Sequence, residues 1–214
     1  MVYLPKHFAE TRRDSLSDII SRYSFATVVT HGGNGLIASQ LPFLYEPAEG
    51  PHGTLLCHLA RPNPQVEDLR SGGEALVIFA GPHAYVSPSW YEVHPAVPTW
   101  NYASVHAYGT PRAIEEPAAL VALVDRLSRV YESGRAKPWR LADQPEAYIA
   151  GMVRGIIGFS IAVSRIEGKF KLSQNRGAAD RRRVVAALRE EADPSATEVA
   201  ELMAAREEGG RGPD

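Results

Sequence analysis

Residues 25–43 read Phe25-Ala26-Thr27-Val28-Val29-Thr30-His31-Gly32-Gly33-Asn34-Gly35-Leu36-Ile37-Ala38-Ser39-Gln40-Leu41-Pro42-Phe43. Both ends of this stretch are short runs rich in apolar and β-branched residues, a pattern typical of strands. Asn34-Gly35 between them indicates a hairpin turn, because both residue types tolerate positive φ. A glycine-rich phosphate loop is disfavoured, since a strand-like run follows where such a loop needs a helix.

The hairpin belongs to a series of closely spaced strand-like segments. Further strands are predicted at 53–60, 75–80, 84–87, 105–114 and 156–166. Connections this short leave no room for helical crossovers, so we expect a mainly antiparallel sheet. Helices are predicted at 14–22, from Pro64 through Leu69, and at 117–131, 147–153, 177–191 and 194–207. Asp143 and Asp193 are the predicted caps of the 147–153 and 194–207 helices.

The amino-acid composition indicates a globular protein. The chain has 214 residues, 44% of them apolar and 22% charged, as in a globular protein with a sizeable core. The formal net charge of −2 gives no overall attraction to nucleic acid or to an anionic membrane. No apolar run exceeds strand length and the first residues lack a long apolar core, so we expect neither a membrane span nor a signal peptide. The single cysteine, Cys57, excludes an internal disulfide, fits a cytoplasmic location and is expected in the core.

The segment His58-Leu59-Ala60-Arg61-Pro62-Asn63-Pro64 places a guanidinium and an amide between a predicted strand and a predicted helix. A guanidinium next to free backbone N–H groups suits a phosphate. The alternative is that Arg61 is a surface cation and that Asn63 only caps the helix.

Two further segments, 81–91 and 97–102, are dense in aromatic and hydroxyl groups and are predicted to form loops. They contain Ser87, Trp90, Thr99, Trp100 and Asn101. Aromatic rings suit a flat heterocycle, and hydroxyl groups suit phosphate or ribityl oxygens. The alternative is that the aromatic residues fill the protein's own core.

In the segment 168–176, alternation is expected to place Lys169, Lys171 and Ser173 on one strand face, followed by Gln174 and Arg176. The alternative is a solvated edge strand guarded by lysines. No Gly-x-Ser-x-Gly elbow, Walker loop or His-Glu-x-x-His motif is present, and the histidines lack ligand spacing on a helix, so no metal site is expected.

A set of ordered motifs extends from about Tyr3 to Leu188. The motifs are Tyr3-Leu4-Pro5-Lys6-His7-Phe8, Gly35-Leu36-Ile37-Ala38-Ser39-Gln40-Leu41-Pro42, His58-Leu59-Ala60-Arg61-Pro62-Asn63-Pro64, Ser87-Pro88-Ser89-Trp90-Tyr91, Val97-Pro98-Thr99-Trp100-Asn101-Tyr102, Ile166-Glu167-Gly168-Lys169 and Lys171-Leu172-Ser173-Gln174-Asn175-Arg176. In these motifs the chain resembles the PaiB family, known as FMN-binding negative transcriptional regulators. Two departures, a short 92–96 segment and Pro62 in place of alanine, concern the substrate pocket more than the fold.

The resemblance implies an antiparallel split β-barrel with peripheral helices, similar to pyridoxamine phosphate oxidase, and a homodimer with FMN between its subunits. It covers a domain at 1–188, and the remaining residues, 189–214, are predicted from their own pattern to form a charged helix and a flexible tail. The residues expected to contact FMN are Ser39, His58, Arg61, Asn63, Ser87, Trp90, Thr99, Trp100, Asn101, Lys171, Gln174 and Arg176. Among them, Arg61, Lys171 and Arg176 are the predicted phosphate cations. Asn101 and Gln174 are the predicted donors to the ring or ribityl chain, and Trp100 is expected to pack beside the ring.

Three functions remain open at this point. The first is a flavin protein with a redox or sensing role, which includes an FMN-dependent oxidoreductase; FMN supplies the redox chemistry, which matches the lack of a nucleophile motif. The second is a DNA-binding repressor, for which the sequence offers no helix-turn-helix and only a local excess of eight Lys/Arg over two Asp/Glu at 165–189. The third is a relative that binds haem.

Overall fold

The computed structural model of the chain describes residues 1–33 and 35–209. Asn34 of the predicted turn and the predicted tail from 210 onward lie outside the described residues. Within the described residues, eight strands form one sheet. They are β1 (Ala9–Glu10), β2 (Phe25–Gly32), β3 (Gly35–Pro42), β4 (Leu44–Glu46), β5 (Thr54–Ala60), β6 (Ala75–Val86), β7 (Thr99–Ile114) and β8 (Ile156–Lys171).

The sheet is mainly antiparallel, which confirms the predicted class. Its strand order is β3-β2-β6-β7-β8-β5-β4, with β1 paired to β8. Strands β2 and β3 pair in antiparallel register from Phe25 opposite Pro42 to Gly32 opposite Gly35, as the hairpin prediction requires. Gly35 has a φ of +84°, a conformation that glycine adopts without steric cost.

Six helices lie among the described residues. They are α1 (Arg13–Arg22), α2 (Gln65–Arg70), α3 (Pro117–Glu132), α4 (Glu146–Val153), α5 (Ala178–Glu190) and α6 (Pro194–Gly209). Asp193 caps α6 as predicted, because its Oδ1 accepts from the Ser195 backbone N–H at 2.9 Å. The predicted cap of α4 is wrong: Asp143 lies in a 3₁₀ turn, and the helix begins after Pro145 without a side-chain cap. No helix in the described part of the chain has the length and apolarity needed to cross a bilayer.

Several strands are longer than predicted. The segments predicted as separate strands at 75–80 and 84–87 form one strand, β6, because Gly81 does not interrupt it. A Cβ at Gly81 would lie 2.8 Å from the carbonyl oxygen of Ala103, so glycine there permits close approach of a neighbouring backbone. The segment 99–102, predicted as a loop, is the start of β7. Ser173 lies beyond the end of β8, with a φ of +61°, and is not on the predicted strand face.

The chain divides into two compact units, and each is described by itself below. The first unit comprises Met1–Ile19, Ala80–Val105 and the described residues from Glu167 onward, and the second comprises Ile20–Phe79 and His106–Ile166. In the second unit, β5 alternates buried and half-buried residues, and Cys57 is fully buried, as expected of a core residue. This burial raises the pKa of the thiol to about 12, which keeps it protonated. The predicted domain boundary at 188/189 falls inside α5 and stays a prediction.

Candidate functional site

Two polar side chains of the predicted site meet in the second unit. Asn63 follows β5 and Ser39 lies on β3; the Asn63 Nδ2 donates to the Ser39 Oγ at 3.2 Å, and both side chains are half-buried. The Asn63 Oδ1 accepts from the Gln65 backbone N–H at 2.9 Å, which holds the amide in place. The Ser39 hydroxyl proton and the second Nδ2 proton of Asn63 remain as donors for an oxygen-rich ligand.

A buried polar network, which the sequence analysis missed, lies beneath this Ser39–Asn63 pair. Gln65 has no exposed surface, and its Nε2 lies within hydrogen-bond distance of the Val28 carbonyl, the Thr30 Oγ1 and the Ile37 carbonyl, at 3.0–3.2 Å. Thr30 in turn donates to the Asp68 Oδ2 at 2.9 Å. The network joins α2 to β2 and β3, and so fixes the segment that carries Asn63. Its sequence signal was the placement of Gln65 and Asp68 on one face of a short helix.

Arg61, predicted to contact phosphate, is engaged by protein groups. Its backbone N–H donates to the Gly155 carbonyl at 2.9 Å and its Nε to the Arg154 carbonyl at 3.0 Å, so it satisfies carbonyls just after α4. Its Nη1 lies 3.4 Å from Glu115. A hydrogen bond from Arg70, and a weaker one from Arg61, lower the pKa of Glu115 despite its partial desolvation. Contact of Arg61 with a phosphate stays a prediction.

His58 lies on the side of β5 that α3 covers. It stands opposite Gly158, where an added Cβ would touch Leu120 and Leu123 of α3. Its Nδ1 is buried and has no hydrogen-bond partner among the described residues. Burial lowers the pKa of His58 below its ordinary value, which favours the neutral ring.

A positively charged cluster in the first unit contains two of the predicted cations. Lys171, at the end of β8, donates through Nζ to the Thr99 Oγ1 and to the Trp100 carbonyl, each at 2.6 Å. Burial lowers the pKa of Lys171, and the charges of Lys169 and Arg176 lower it further. We call Thr99, Trp100, Lys169, Lys171 and Arg176 the Lys171 cluster. Because its three cations repel one another, an anion bound there would relieve the repulsion.

The two amides predicted to contact the flavin form hydrogen bonds with other groups of the protein. Asn101 has no exposed surface, and its Nδ2 donates to the Ser173 Oγ at 2.9 Å and approaches the Met203 Sδ at 3.4 Å. Gln174 accepts from the Leu172 backbone N–H at 2.6 Å and donates to the Phe170 carbonyl at 2.5 Å. Both amides therefore shape the turn that follows β8, and their contact with FMN stays a prediction.

Ser87 caps a short 3₁₀ helix, Pro88–Trp90, and Trp90 is the last residue of that helix. The Ser87 Oγ accepts from the Ser89 backbone N–H at 3.2 Å and lies 2.7 Å from the Ser89 Oγ, so it caps this turn. The guanidinium of Arg176 stacks 4.2 Å from the centre of the Tyr91 ring, which orients it next to the same turn. The contact of Ser87 and Trp90 with FMN stays a prediction.

Three rings form an exposed aromatic patch on the first unit. Tyr85 and Trp100 lie 5.9 Å apart between ring centres, and His83 lies 6.1 Å from Trp100. Trp100 is 54% exposed and Tyr85 46% exposed. Adjacent exposed aromatic side chains of this kind typically mark a surface that binds a ligand or a partner.

An apolar cavity of about 650 Å³ lies between α3 and α4 in the second unit. Its wall includes Leu120, Val121, Ile149 and Val153, and Arg61 lies at its edge. A cavity of this volume can hold a small molecule. The sequence analysis did not find it, because its two walls come from helices that are distant from the quoted motifs.

The donor groups present fit the chemistry of FMN. The Ser39–Asn63 pair offers neutral donors, which suit phosphate or ribityl oxygens, and the Lys171 cluster offers positively charged groups. The exposed Trp100 offers a flat apolar face of the kind that packs against a heterocycle.

Comparison with known proteins shows the family. Residues 2–165 match the family described as "Putative FMN-binding domain". Protease synthase and sporulation protein PAI 2 of Bacillus subtilis is 36% identical over 202 residues, which cover 94% of this chain and 96% of that protein. The match to the family model confirms FMN as the predicted cofactor at the level of the family.

Solved structures share the fold at low sequence identity. The FAD and heme binding protein of Mycobacterium smegmatis superposes with a TM-score of 0.59 at 19% identity, covering 84% of this chain and 80% of that one. The flavocytochrome Anf3 of Azotobacter vinelandii gives a TM-score of 0.55 at 13% identity, covering 76% of this chain and 69% of that one. The predicted split-barrel fold class is thereby confirmed. The chain belongs to the PaiB-type family of FMN-binding split-barrel proteins.

Proposed function

We propose that the chain binds FMN as a redox or sensing group and works as a cytoplasmic homodimer. The observation that carries the proposal is the Lys171 cluster, in which Lys171 is held by Thr99 and the Trp100 carbonyl while the charges of Lys169 and Arg176 help to lower its pKa. An FMN phosphate or a reduced, anionic flavin edge supplies negative charge there. When bound, FMN supplies electron and hydride transfer, so no nucleophile of the chain is required.

The proposed role of each residue in binding FMN follows from the hydrogen-bond donors that it offers. Ser39 and Asn63 donate to oxygens of the phosphate or ribityl chain, and the buried Gln65 network keeps Asn63 oriented. Lys171 retains a third Nζ proton beyond its bonds to Thr99 and to the Trp100 carbonyl, and can direct it at an anionic part of the flavin. The apolar cavity beside α3 supports the narrower alternative of an oxidoreductase that acts on a small apolar molecule.

The absorption spectrum of the purified protein tests the proposal most directly. We expect oxidised-flavin bands that bleach under anaerobic reduction with dithionite and return on exposure to air. A Soret band without flavin bands would instead support the haem-binding alternative. A protein that shows neither, and that takes up no added FMN, contradicts the proposal.

A DNA-binding role is not included in the proposal, because most of the basic side chains near α5 face carboxylates. Arg181 lies 2.8 Å from Glu207 and Arg189 lies 3.0 Å from Glu201, and both carboxylates belong to α6. Positive charge that is neutralised within the protein contributes little to phosphate contacts. Salt-dependent retardation of DNA by the pure protein would instead support a DNA-binding role.

The homodimer can be tested at the aromatic patch. Trp100→Glu places a charge among exposed rings, and we expect it to shift the protein from two chains towards one, because burial of an unpaired charge opposes association. Sedimentation equilibrium at micromolar concentration measures the mass. Trp139→Glu is the matched control, because Trp139 is also exposed but lies in the second unit outside the patch. A wild-type mass of one chain with FMN bound contradicts the prediction.

A further inference from the structure

A cleft of about 650 Å³ lies in the first unit, and of the residues predicted to contact FMN only Gln174 lines it. It is formed by the segment after β1, the turn after β8, α5 and α6. Its charged lining consists of four arginines and two glutamates, which leaves a formal excess of two positive charges. The charged residues are Glu10, Arg12, Arg181, Arg182, Arg206 and Glu207.

The two carboxylates are already occupied by protein donors. Glu10 is almost fully buried and accepts from Arg12 through the backbone N–H at 2.9 Å, the Nε at 3.2 Å and the Nη2 at 3.0 Å, and also from Arg206. Glu207 accepts from the Arg181 Nε at 2.8 Å. The groups left to face a ligand are therefore mainly N–H donors.

One arginine of the cleft has no ion pair within the described part of the chain, and a second is partly desolvated. No carboxylate among the described residues forms an ion pair with Arg182, which is exposed on α5. Arg206 is partly buried, and burial lowers its pKa although Glu10 acts in the opposite direction. Partly desolvated guanidinium groups gain the most from an added anion.

Part of the cleft lining is apolar. Leu172 and Met203, which are almost fully buried, line the cleft together with Ala178. Apolar side chains beside guanidinium groups favour a ligand that combines a carbon skeleton with negative charge over an inorganic ion.

We propose that this cleft is a second ligand site, which binds a small organic dianion with an apolar part, such as an aryl phosphate or an aromatic dicarboxylate. Eight of its ten lining residues follow residue 165, where the match to the FMN-binding family model ends. The site is therefore built mostly from chain outside that model.

Calorimetric titration of the FMN-loaded protein with phenyl phosphate tests the proposal. We expect saturable binding of one molecule per chain, weaker binding of inorganic phosphate, and no binding of neutral benzyl alcohol. Arg182→Glu should weaken phenyl phosphate binding by at least roughly tenfold, because it replaces an unpaired donor by a repelling charge. Arg183→Glu is the matched control, because Arg183 is the exposed neighbour on α5 and does not line the cleft.

Four outcomes would overturn the proposal. The first is the absence of saturable binding of phenyl phosphate to the wild-type protein. The second is an equal loss of phenyl phosphate affinity in the Arg182→Glu and Arg183→Glu variants, which would show that only the overall charge of α5 affects binding. The third is loss of FMN from Arg182→Glu, which would assign the cleft to the flavin phosphate. Equal binding of inorganic and phenyl phosphate would remove the organic ligand class and leave an adventitious ion only.

Discussion

Asn63→Asp is expected to lower the affinity for FMN by roughly 100-fold, about 2.7 kcal/mol. The substitution removes the Nδ2 donor that now reaches Ser39 at 3.2 Å and places a negative charge where we propose that FMN oxygens bind. Repulsion between like charges at such a site costs several kcal/mol, more than the loss of one neutral hydrogen bond. Quenching of FMN fluorescence during titration of the FMN-free protein measures the affinity.

The fold should survive this substitution, because aspartate keeps an oxygen for the Gln65 backbone N–H that Asn63 accepts at 2.9 Å. Gln40→Glu provides the control: it adds the same charge on the next residue after Ser39, on the opposite face of β3. We expect its FMN affinity to stay within roughly twofold of wild type. An Asn63→Asp protein that binds FMN as tightly as this control would exclude Asn63 from the site.

The sequence indicated polar candidate residues in both units, and the structure brings two of them, Ser39 and Asn63, together in the second unit. Asn63 was recognisable because it follows a strand and opens a helix, a position where an amide has few structural uses besides capping. Its partner Ser39 came from a separate motif, and pairing of the two depends on the sheet register, which no local pattern specifies. Asn101 was predicted to donate to the flavin ring or ribityl chain, and that contact stays a prediction; its bond to Ser173, which lies 72 residues further along the chain, could not be predicted from a local pattern.

The strands, too, were predictable only where their sequence signal is local. Alternation and turn residues identified the β2–β3 hairpin, because both signals are local. Gly81 was predicted to begin a loop after the 75–80 strand, whereas the close approach of Ala103 requires a glycine inside β6. The short strands β1 and β4 carry too few residues for a periodic pattern, and they exist through their pairing with β8 and β5.

Gln65→Leu is expected to lower the free energy of unfolding by about 3 kcal/mol. Leucine is close to glutamine in size, so the variant creates little cavity. It removes the Nε2 group that lies 3.1 Å from the Val28 carbonyl and 3.0 Å from the Ile37 carbonyl, in a position with no exposed surface. Buried acceptors that lose a donor recover no hydrogen bond from water, and each such loss costs about 1–3 kcal/mol.

Urea unfolding followed by tryptophan fluorescence measures this change, on protein freed of FMN so that cofactor binding does not add to the stability of the folded state. Glu67→Leu is the control on the same helix, because Glu67 is exposed and should change stability by no more than about 0.5 kcal/mol. Equal slopes of the unfolding curves are needed, since a changed slope would indicate an altered unfolded state. A Gln65→Leu protein as stable as the Glu67 control would show that α2 is held to β2 and β3 by apolar packing of Val66 and Leu69 alone.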